Sequence, residues 1–299
     1  MSEFLSSYLD RVRSIGTNYR LFFVCGAPKS GTTWLQKALD AHAQIVCAGE
    51  GHFADHFARG LSGLLGRYYD QQKVVAKNVY EGRPHYRHSP TEDYDFLVKT
   101  FILNAFARLE IPDGTRFIGD KTPANIEYLR VFRRLFPEAK IVAIVRDGRD
   151  TLVSTFRHVE RVMRADGKAA ESETFLVEKT RSYCERWVRS LDDAAKFAER
   201  NPGVLHTVRY EDLKQDFRGA FGAVLEFLGA DVTDDEIARC EEASSFQRLS
   251  GGREAGDEDR NAFVRKGIVG DWRSSLSEQH LAVFNEVGGD WLTRLGYEA

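Results

Sequence analysis

The chain has 299 residues and a mass of 33.9 kDa, and its 42 Lys and Arg residues against 45 Asp and Glu residues leave a formal charge of −3. This balance excludes a protein that coats a polyanion along its whole surface, so any affinity for anions must lie in a local cluster of basic residues. With 42% hydrophobic and 29% charged residues, the composition is that of a soluble globular protein that forms one large domain or two medium ones.

Frequent turn residues and the lack of a long linker favour one domain over residues 1–299, with a core at about 20–295. The four cysteines show neither CxxC nor metal-ligand spacing, which predicts reduced core residues. The amino-terminal segment has no apolar signal core, and the apolar runs are too short to cross a bilayer. We therefore expect a cytoplasmic location and no membrane anchoring.

Short apolar runs alternate along the chain with segments of helical periodicity. Strands are predicted at residues 21–25, 45–47, 117–118, 141–145 and 204–208. Helices are predicted at 33–41, 124–136, 151–163, 174–198 and 217–228. This alternation predicts an α/β fold with a central parallel sheet flanked by helices, in which ligands bind at the carboxyl ends of the strands. Residues 51–90 and 250–260 are predicted to be irregular loops.

A glycine-flanked turn follows the first strand and leads into a helix. Gly26 and Gly31 have the spacing of a Walker A loop, but Thr32 stands where that motif has its lysine, and Lys29 lies inside the loop instead. Backbone N–H groups at such a turn converge on a phosphate or sulfate group. Because the missing lysine serves nucleoside triphosphates beside Mg²⁺, the loop favours a different anionic ligand.

Two further segments carry cations at positions suited to anion binding. Arg146 directly follows the strand at 141–145, and Ser154 lies in the next helix, so the two side chains can hold one phosphate from two sides. The alternative is a Walker B strand with Asp147 as a Mg²⁺ ligand, which the altered first loop disfavours. Arg265, Lys266 and Gly267 combine two charges with a residue that permits close backbone approach.

Together these segments resemble the sulfotransferases that use 3′-phosphoadenosine 5′-phosphosulfate (PAPS), over about residues 20–275. The stretch from Pro28 to Trp34 is similar to the family's 5′-phosphosulfate loop, Arg146 with Ser154 to its 3′-phosphate site, and RKGxxGDW from Arg265 to its carboxyl-terminal signature. The resemblance implies a P-loop NTPase-like fold, PAPS as donor and no required metal. The donor-binding residues that it implies are Lys29, Ser30, Gly31, Thr32, Thr33, Trp34, Arg146, Ser154, Tyr210, Phe246, Arg265, Lys266 and Gly267. For Tyr210 and Phe246, a place in the core is the alternative.

The catalytic base distinguishes two branches of this family. Cytosolic small-molecule sulfotransferases carry a histidine in a Lys-Thr-His segment, whereas this chain has Pro123 after Lys121 and Thr122. It is similar instead to tyrosylprotein and bacterial sulfotransferases, whose base is a glutamate after the second strand, here Glu50. The resemblance implies Lys29, Glu50, Lys121 and Ser154 as the catalytic residues, with Ser154 also restraining Lys29. Other candidate bases are His52, His56 and Asp120.

The acceptor pocket is predicted to draw on residues 51–108, which supply aromatic and cationic side chains for a small hydroxylated or phenolic acceptor, with no nucleic acid as partner. These side chains are Phe53, Phe57, Tyr68, Tyr69, Tyr80, Tyr86, Tyr94, Arg83, His85, Arg87 and His88. The alternatives to a sulfotransferase are a P-loop nucleoside or small-molecule kinase and a non-catalytic nucleotide-binding module. We expect five cations to converge on one pocket: Lys29, Lys121, Arg146, Arg265 and Lys266.

Overall fold

A single parallel sheet forms the centre of the computed structural model, which describes residues 2–83, 86, 89–167 and 173–298. Its strands are β1 Arg20–Cys25, β2 Ile45–Ala48, β3 Phe117–Lys121, β4 Lys140–Val145 and β5 Leu205–Arg209. They are ordered β2–β3–β1–β4–β5, and all of the pairings are parallel. The predicted α/β class and the five predicted strands are confirmed.

Helices connect and cover these strands. They are α1 Ser2–Asn18, α2 Thr32–Asp40, α3 Arg59–Val79, α4 Pro90–Phe106, α5 Leu129–Leu135, α6 Gly148–Ala165, α7 Glu173–Arg200, α8 Tyr210–Gln215, α9 Phe217–Leu228, α10 Asp234–Ala243, α11 Phe246–Ser250, α12 Trp272–Ser275 and α13 Glu278–Arg294. A π-helix at Phe53–Ala58 and a 3-10 helix at Pro123–Glu127 complete the regular structure of the described residues.

The sheet separates two hydrophobic cores because successive side chains of a strand point to opposite faces. Phe22 packs with residues of α2 and α9, whereas Phe23 packs with residues of α4, α5 and α7. A third cluster joins α6, α7 and α13. The four cysteines are buried and unpaired, as their spacing predicted.

The prediction of an irregular loop at 51–90 is wrong, because the π-helix and α3 occupy most of it. Leu61, Leu65, Tyr69 and Ala76 form the inward-facing stripe of α3. Three glycines in its first half, Gly60, Gly63 and Gly66, have low helix propensity and made the segment look irregular. The helix predicted at 124–136 is interrupted: a 3-10 turn follows Pro123, and Tyr128, with φ −122° and ψ 19°, separates it from α5.

The strand order places a binding crevice between β1 and β4. The chain leaves β1 towards β2 and β3 on one side and continues through β4 and β5 on the other. Ligands of open α/β sheets bind at such a reversal, outside the carboxyl ends of the strands. In the part of the chain that the structure describes, no helix has both the length and the apolar character needed to span a bilayer.

Candidate active site

A cleft of about 910 Å³ lies at the carboxyl edge of the sheet, and most of the residues predicted to bind the donor line it. They are Lys29, Gly31, Thr32, Thr33, Trp34, Arg146, Ser154, Tyr210, Phe246, Arg265, Lys266 and Gly267. Glu50 and His52 also line the cleft. Ser30 is buried within the loop, and Lys121 is buried against Glu50. Segments far apart in the sequence therefore meet at one place.

The loop after β1 leads into α2 through left-handed backbone at Lys29 (φ 71°) and Gly31 (φ 103°). A Cβ atom on Gly31 would lie 2.6 Å from Cδ2 of Tyr210, so only glycine fits there without displacement. The first N–H groups of α2 have no partner within the helix. The Ser30 hydroxyl is buried and has no hydrogen-bond partner among the described residues. This donor-rich turn fits a phosphate or sulfate group.

The Lys29 side chain is half-buried, and its ammonium nitrogen lies 4.6 Å from the centre of the Phe263 ring. Its pKa is lowered to about 8, first by burial and then by the charge of Arg161, while Glu50 acts in the opposite direction. A fraction of Lys29 therefore loses its charge slightly above neutral pH.

Lys121 and Glu50 form an ion pair across the ends of β3 and β2. The Lys121 ammonium donates to Glu50 Oε1 at 2.7 Å and to Thr33 Oγ1 at 3.2 Å. The lysine side chain is 4% exposed, whereas that of Glu50 is 41% exposed. The carboxylate is thus held from below by a buried cation and remains open to the cleft.

His52 lies between two carboxylates. Its Nε2 is 3.3 Å from Glu50 Oε2, and its Nδ1 is 2.8 Å from Asp55 Oδ2. The pKa of His52 is raised, chiefly by the hydrogen bond with Asp55. His56 stacks on His52 at 4.4 Å and is exposed. The ligand atoms of His52, Asp55 and His56 lie within 4.8 Å of one another, close enough to hold a metal ion.

Asp120 is buried beneath the loop that carries Glu50. It accepts hydrogen bonds from Gly51 N at 2.8 Å, Thr122 Oγ1 at 2.8 Å and Asn125 Nδ2 at 3.3 Å. Burial raises its pKa to about 6. Because these bonds turn the carboxylate towards the loop backbone, Asp120 fixes the position of the loop and does not face the cleft.

Arg146 extends from β4 towards the third basic segment. Its Nη2 donates to Ile268 O at 2.8 Å and to Asp150 Oδ2 at 3.3 Å, and its guanidinium carbon lies 4.3 Å from the centre of the Tyr210 ring. Its Nε is buried and has no hydrogen-bond partner in the described ranges. Ser154 lies two turns along α6 and lines the same cleft. Arg146 and Ser154 therefore reach one cleft from the end of β4 and from α6.

The alternative that made Asp147 a Mg²⁺ ligand is wrong. Asp147 begins α6 as its N-cap and accepts from Arg149 N at 2.9 Å. Its carboxylate also accepts from Arg149 Nε at 3.0 Å and Nη2 at 2.9 Å. Both oxygens are committed to a buried ion pair, and the residue does not line the cleft.

The third basic segment is organised by two aspartates. Asp271 accepts from Lys266 at 2.7 Å and from Arg265, which also pairs with Glu258 at 2.6 Å. Burial alone would raise the pKa of Asp271, but the bonds from Lys266 and Arg265 outweigh it and hold that pKa below its ordinary value. Asp150, which the sequence did not single out, accepts from Gly270 N at 2.8 Å and Trp272 N at 3.0 Å.

Aromatic rings enclose one side of the cleft. Trp34 meets Tyr210 edge to face with ring centres 5.2 Å apart, and Phe246 lies under Gly267, where a Cβ atom would overlap its ring. Tyr210 is only 7% exposed, so it belongs to both the core and the cleft wall. These flat apolar surfaces fit a nucleobase.

The acceptor pocket predicted at 51–108 stays a prediction, and of that segment His52 lines the cleft. Phe53, Phe57, Tyr69 and Tyr94 pack inside the protein, while Tyr68, Tyr80, Tyr86 and Arg83 are exposed. His85, Arg87 and His88 lie outside the described residues. His158 and Phe263 also line the cleft that contains Glu50. His158 follows Ser154 by one turn, and this spacing was the only sequence signal for it.

The five cations expected to converge are gathered at one site. Lys29, Arg146, Arg265 and Lys266 line the cleft, and Lys121 contacts two of its residues, Glu50 and Thr33. This placement agrees with a small polyanionic ligand.

Comparisons with known proteins identify the family. The model of the sulfotransferase family matches residues 22–234, more than half of the chain. A putative protein-tyrosine sulfotransferase of Caenorhabditis briggsae is 23% identical over 279 residues, which cover 93% of this chain and 89% of that protein. Cytosolic sulfotransferase 17 of Arabidopsis thaliana is 26% identical over 290 residues, covering 87% and 71%. Relatives thus include both kinds of sulfotransferase that the motifs resemble.

A solved structure shares the fold. Mouse sulfotransferase SULT7A1 complexed with PAP aligns with a TM-score of 0.59 at 20% identity, covering 94% of this chain and 88% of that one. The motifs, the cleft and the family match agree. The chain belongs to the sulfotransferase family.

Proposed function

We propose that the cleft binds PAPS and that Lys29, Lys121 and Glu50 act at the transferred sulfuryl group, with a hydroxyl or amine of a small molecule as acceptor. The observation that carries this assignment is the cleft-facing Glu50 carboxylate held 2.7 Å from the buried Lys121 ammonium. This ion pair lies next to the anion-binding loop, because Lys121 also contacts Thr33 in the first turn of α2.

The residues of the cleft fit the anionic groups of the donor. The loop at Ser30 and Gly31 offers backbone N–H groups and an unpartnered hydroxyl to the 5′-phosphosulfate. Arg146, with its unpartnered Nε, and Ser154 are placed for the 3′-phosphate. Arg265, Lys266 and Gly267 approach the same cleft from the carboxyl-terminal segment, and Trp34, Tyr210 and Phe246 flank the adenine.

The donor supplies the sulfuryl group, and this chain's residues supply position and charge. Glu50 takes the acceptor proton as sulfur bonds to the acceptor's oxygen or nitrogen and the sulfur–oxygen bond to the 5′-phosphate breaks. Lys29 stabilises the negative charge on the departing phosphate oxygen, and Lys121 the charge on the sulfuryl oxygens. Ser154 holds the 3′-phosphate and restrains Lys29 until the acceptor is bound.

His52 acts with Glu50 in this proposal. Its ring contacts the outer oxygen of Glu50 and is fixed from behind by Asp55. We assign His52 to orienting the carboxylate, because Glu50 is the group held by the buried cation. His56 does not line the cleft, and the bonds of Asp120 are directed at the backbone, so neither is assigned as the base.

We also propose that the chain is a single domain and that the protein is cytoplasmic. The chain forms one domain, since α13 packs on α6 and α7, and α7 covers the sheet. Its location is cytoplasmic, in keeping with four buried cysteines that form no disulfide.

The test combines ligand binding with transfer. PAP is 3′,5′-phosphoadenosine, the donor without its sulfuryl group. At a concentration of roughly one hundred times the dissociation constant of PAP, it should stabilise the protein by about 2.7 kcal/mol, and ATP with Mg²⁺ should stabilise the protein far less. Labelled sulfuryl should pass from PAPS to members of a panel of phenols, alcohols and amines. Stabilisation by ATP–Mg²⁺ but not by PAP would favour the kinase alternative, and PAP binding without transfer to any acceptor, including tyrosine peptides, would favour the non-catalytic module.

A further inference from the structure

One face of α6 continues past the proposed 3′-phosphate site towards Lys29. Residues spaced by four and seven positions share a helix face, so Ser154, His158 and Arg161 lie in one row about 10 Å long. Ser154 and His158 line the cleft, and Arg161 is half-buried beside His158. The row therefore leads from the proposed 3′-phosphate site of the cleft towards Lys29.

Positive charge accumulates at the far end of this row. Arg161 Nη2 lies 3.2 Å from His158 Nδ1, which in neutral histidine leaves the proton on Nε2 as a donor. The pKa of His158 is lowered by burial and further by Lys29 and Arg161. Arg161 also lowers the pKa of Lys29. Lys29 and Arg161 thus disfavour protonation of His158, and Arg161 disfavours protonation of Lys29.

In the part of the chain that the structure describes, carboxylates form ion pairs with the other arginines of α6 but not with Arg161. Glu160 pairs with Arg157 at 3.2 Å and with Arg164 at 2.9 Å. Within the described ranges no carboxylate lies at salt-bridge distance from Arg161 or Lys29, whereas Arg146, Arg265 and Lys266 all have such a partner. A guanidinium binds carboxylate and phosphate oxygens through its planar set of donors. Among the described residues Arg161 contacts His158 but no carboxylate, so its remaining donors are available to an anion from solution.

We propose that Arg161 and His158 form a subsite for an anionic group on the acceptor, so that the enzyme favours hydroxylated acceptors that carry a carboxylate, sulfate or phosphate. This inference rests on the proposed function, because it takes Glu50 and Lys29 as the point of transfer. The donor's phosphates have their own groups at Ser30 and Arg146, and Phe263 beside Lys29 gives an apolar surface for the acceptor's body.

The test compares acceptors that differ only in charge. Matched pairs of a phenolic acid and its methyl ester, beginning with 4-hydroxyphenylacetate, are assayed with the full-length protein and with Arg161→Met. The preference in kcat/KM for acid over ester should fall about tenfold or more, because a hydrogen-bonded charge contact is lost. Arg161→Lys should restore part of the preference. At pH 7 or below, where Lys29 keeps its charge, the KM for PAPS should not change. Arg157→Met, on the same helix but paired with Glu160, should keep the preference.

Other outcomes overturn the subsite. An equal loss for acid and ester with a raised KM for PAPS would place Arg161 at the donor, and an unchanged preference would leave it as a solvated surface residue. If no acid or ester is sulfated while PAP still binds, the small-molecule part of the proposed function fails. The subsite is then tested by calorimetry: PAP-loaded protein should bind 4-hydroxyphenylacetate, and Arg161→Met should abolish this binding. No binding to the unmodified protein would overturn the subsite itself.

Discussion

Lys121 and Glu50 meet because β2 and β3 are neighbours in register. Ala48 pairs with Asp120, so the next residues of both strands leave the sheet side by side. The pair is separated by 71 residues in the chain, and no spacing rule could have joined them. Arg146 was predictable because it directly follows an apolar strand, and Lys29 because it lies in the glycine-flanked turn after one. His158 and Arg161 gain their importance only from how α6 is oriented.

The lowered pKa of Lys29 gives a pH dependence at the residue scale. Its cation is needed for the departing phosphate, so kcat/KM for PAPS should be constant below pH 7 and fall as pH rises through about 8. Arg161→Met should move this fall to higher pH, since Arg161 lowers the pKa of Lys29. Rates measured over about pH 6 to 10 check both statements. A profile that stays flat beyond about pH 9 would remove Lys29 from this role.

Gly267 gives a second prediction at this scale. Its φ of 66° and its contact with Phe246 leave no room for a side chain, so Gly267→Ala should weaken PAP binding by about tenfold or more. Gly203→Ala is the matched control, because Gly203 has a φ of 75° with nothing within 4 Å. Calorimetry that shows equal PAP affinities for the two variants would contradict close packing at Gly267.

The position of α6 determines where the carboxyl-terminal segment lies, because a side chain of this helix binds the backbone of that segment. Asp150 in the first turn of α6 holds the backbone of Gly270 and Trp272, 120 and 122 residues away. Strands β1 and β4 were the most predictable, because burial on both faces makes their sequences continuously apolar. Helix α3 was not predicted, because Gly60, Gly63 and Gly66 interrupt the helical pattern in its first half.

Removing the Asp150 carboxylate should therefore affect both stability and binding. Asp150→Ala leaves two part-buried N–H groups without their acceptor and removes one of the two acceptors of Arg146, which keeps Ile268 O. The loss should cost about 1–3 kcal/mol per unsatisfied N–H group and weaken PAP binding at least tenfold. Thr233→Ala removes the cap of α10 and should cost about 1 kcal/mol without changing PAP affinity. If the two variants lost affinity equally, the effect of Asp150 would be one of general stability only.

At the scale of the whole molecule, a net charge of −3 coexists with a cationic cleft. The sum conceals the site because the five cations are few and most are balanced locally by Glu50, Asp150, Asp271 and Glu258. Composition excluded a broadly basic surface and could not reveal where the cations meet. That information depends on the sheet order, which brings the ends of β1, β3 and β4 together.

This local field predicts a salt dependence. PAP affinity should fall several-fold between about 50 mM and 500 mM salt, as screening weakens the attraction of the cleft for an anion. Lys266→Met should reduce both the affinity and its dependence on salt. Titrations at three ionic strengths check this, and an affinity independent of salt would show that the cleft does not act through charge.

The most direct test of the account is the turnover of Glu50→Gln beside its affinity for PAP. Glutamine keeps the shape of the side chain but cannot take the acceptor's proton, so kcat should fall about 10²- to 10⁴-fold while the PAP dissociation constant stays within about twofold. His56→Gln, outside the cleft, should retain turnover. Near-normal turnover by a folded, PAP-binding Glu50→Gln protein would contradict the assignment of Glu50 as the base.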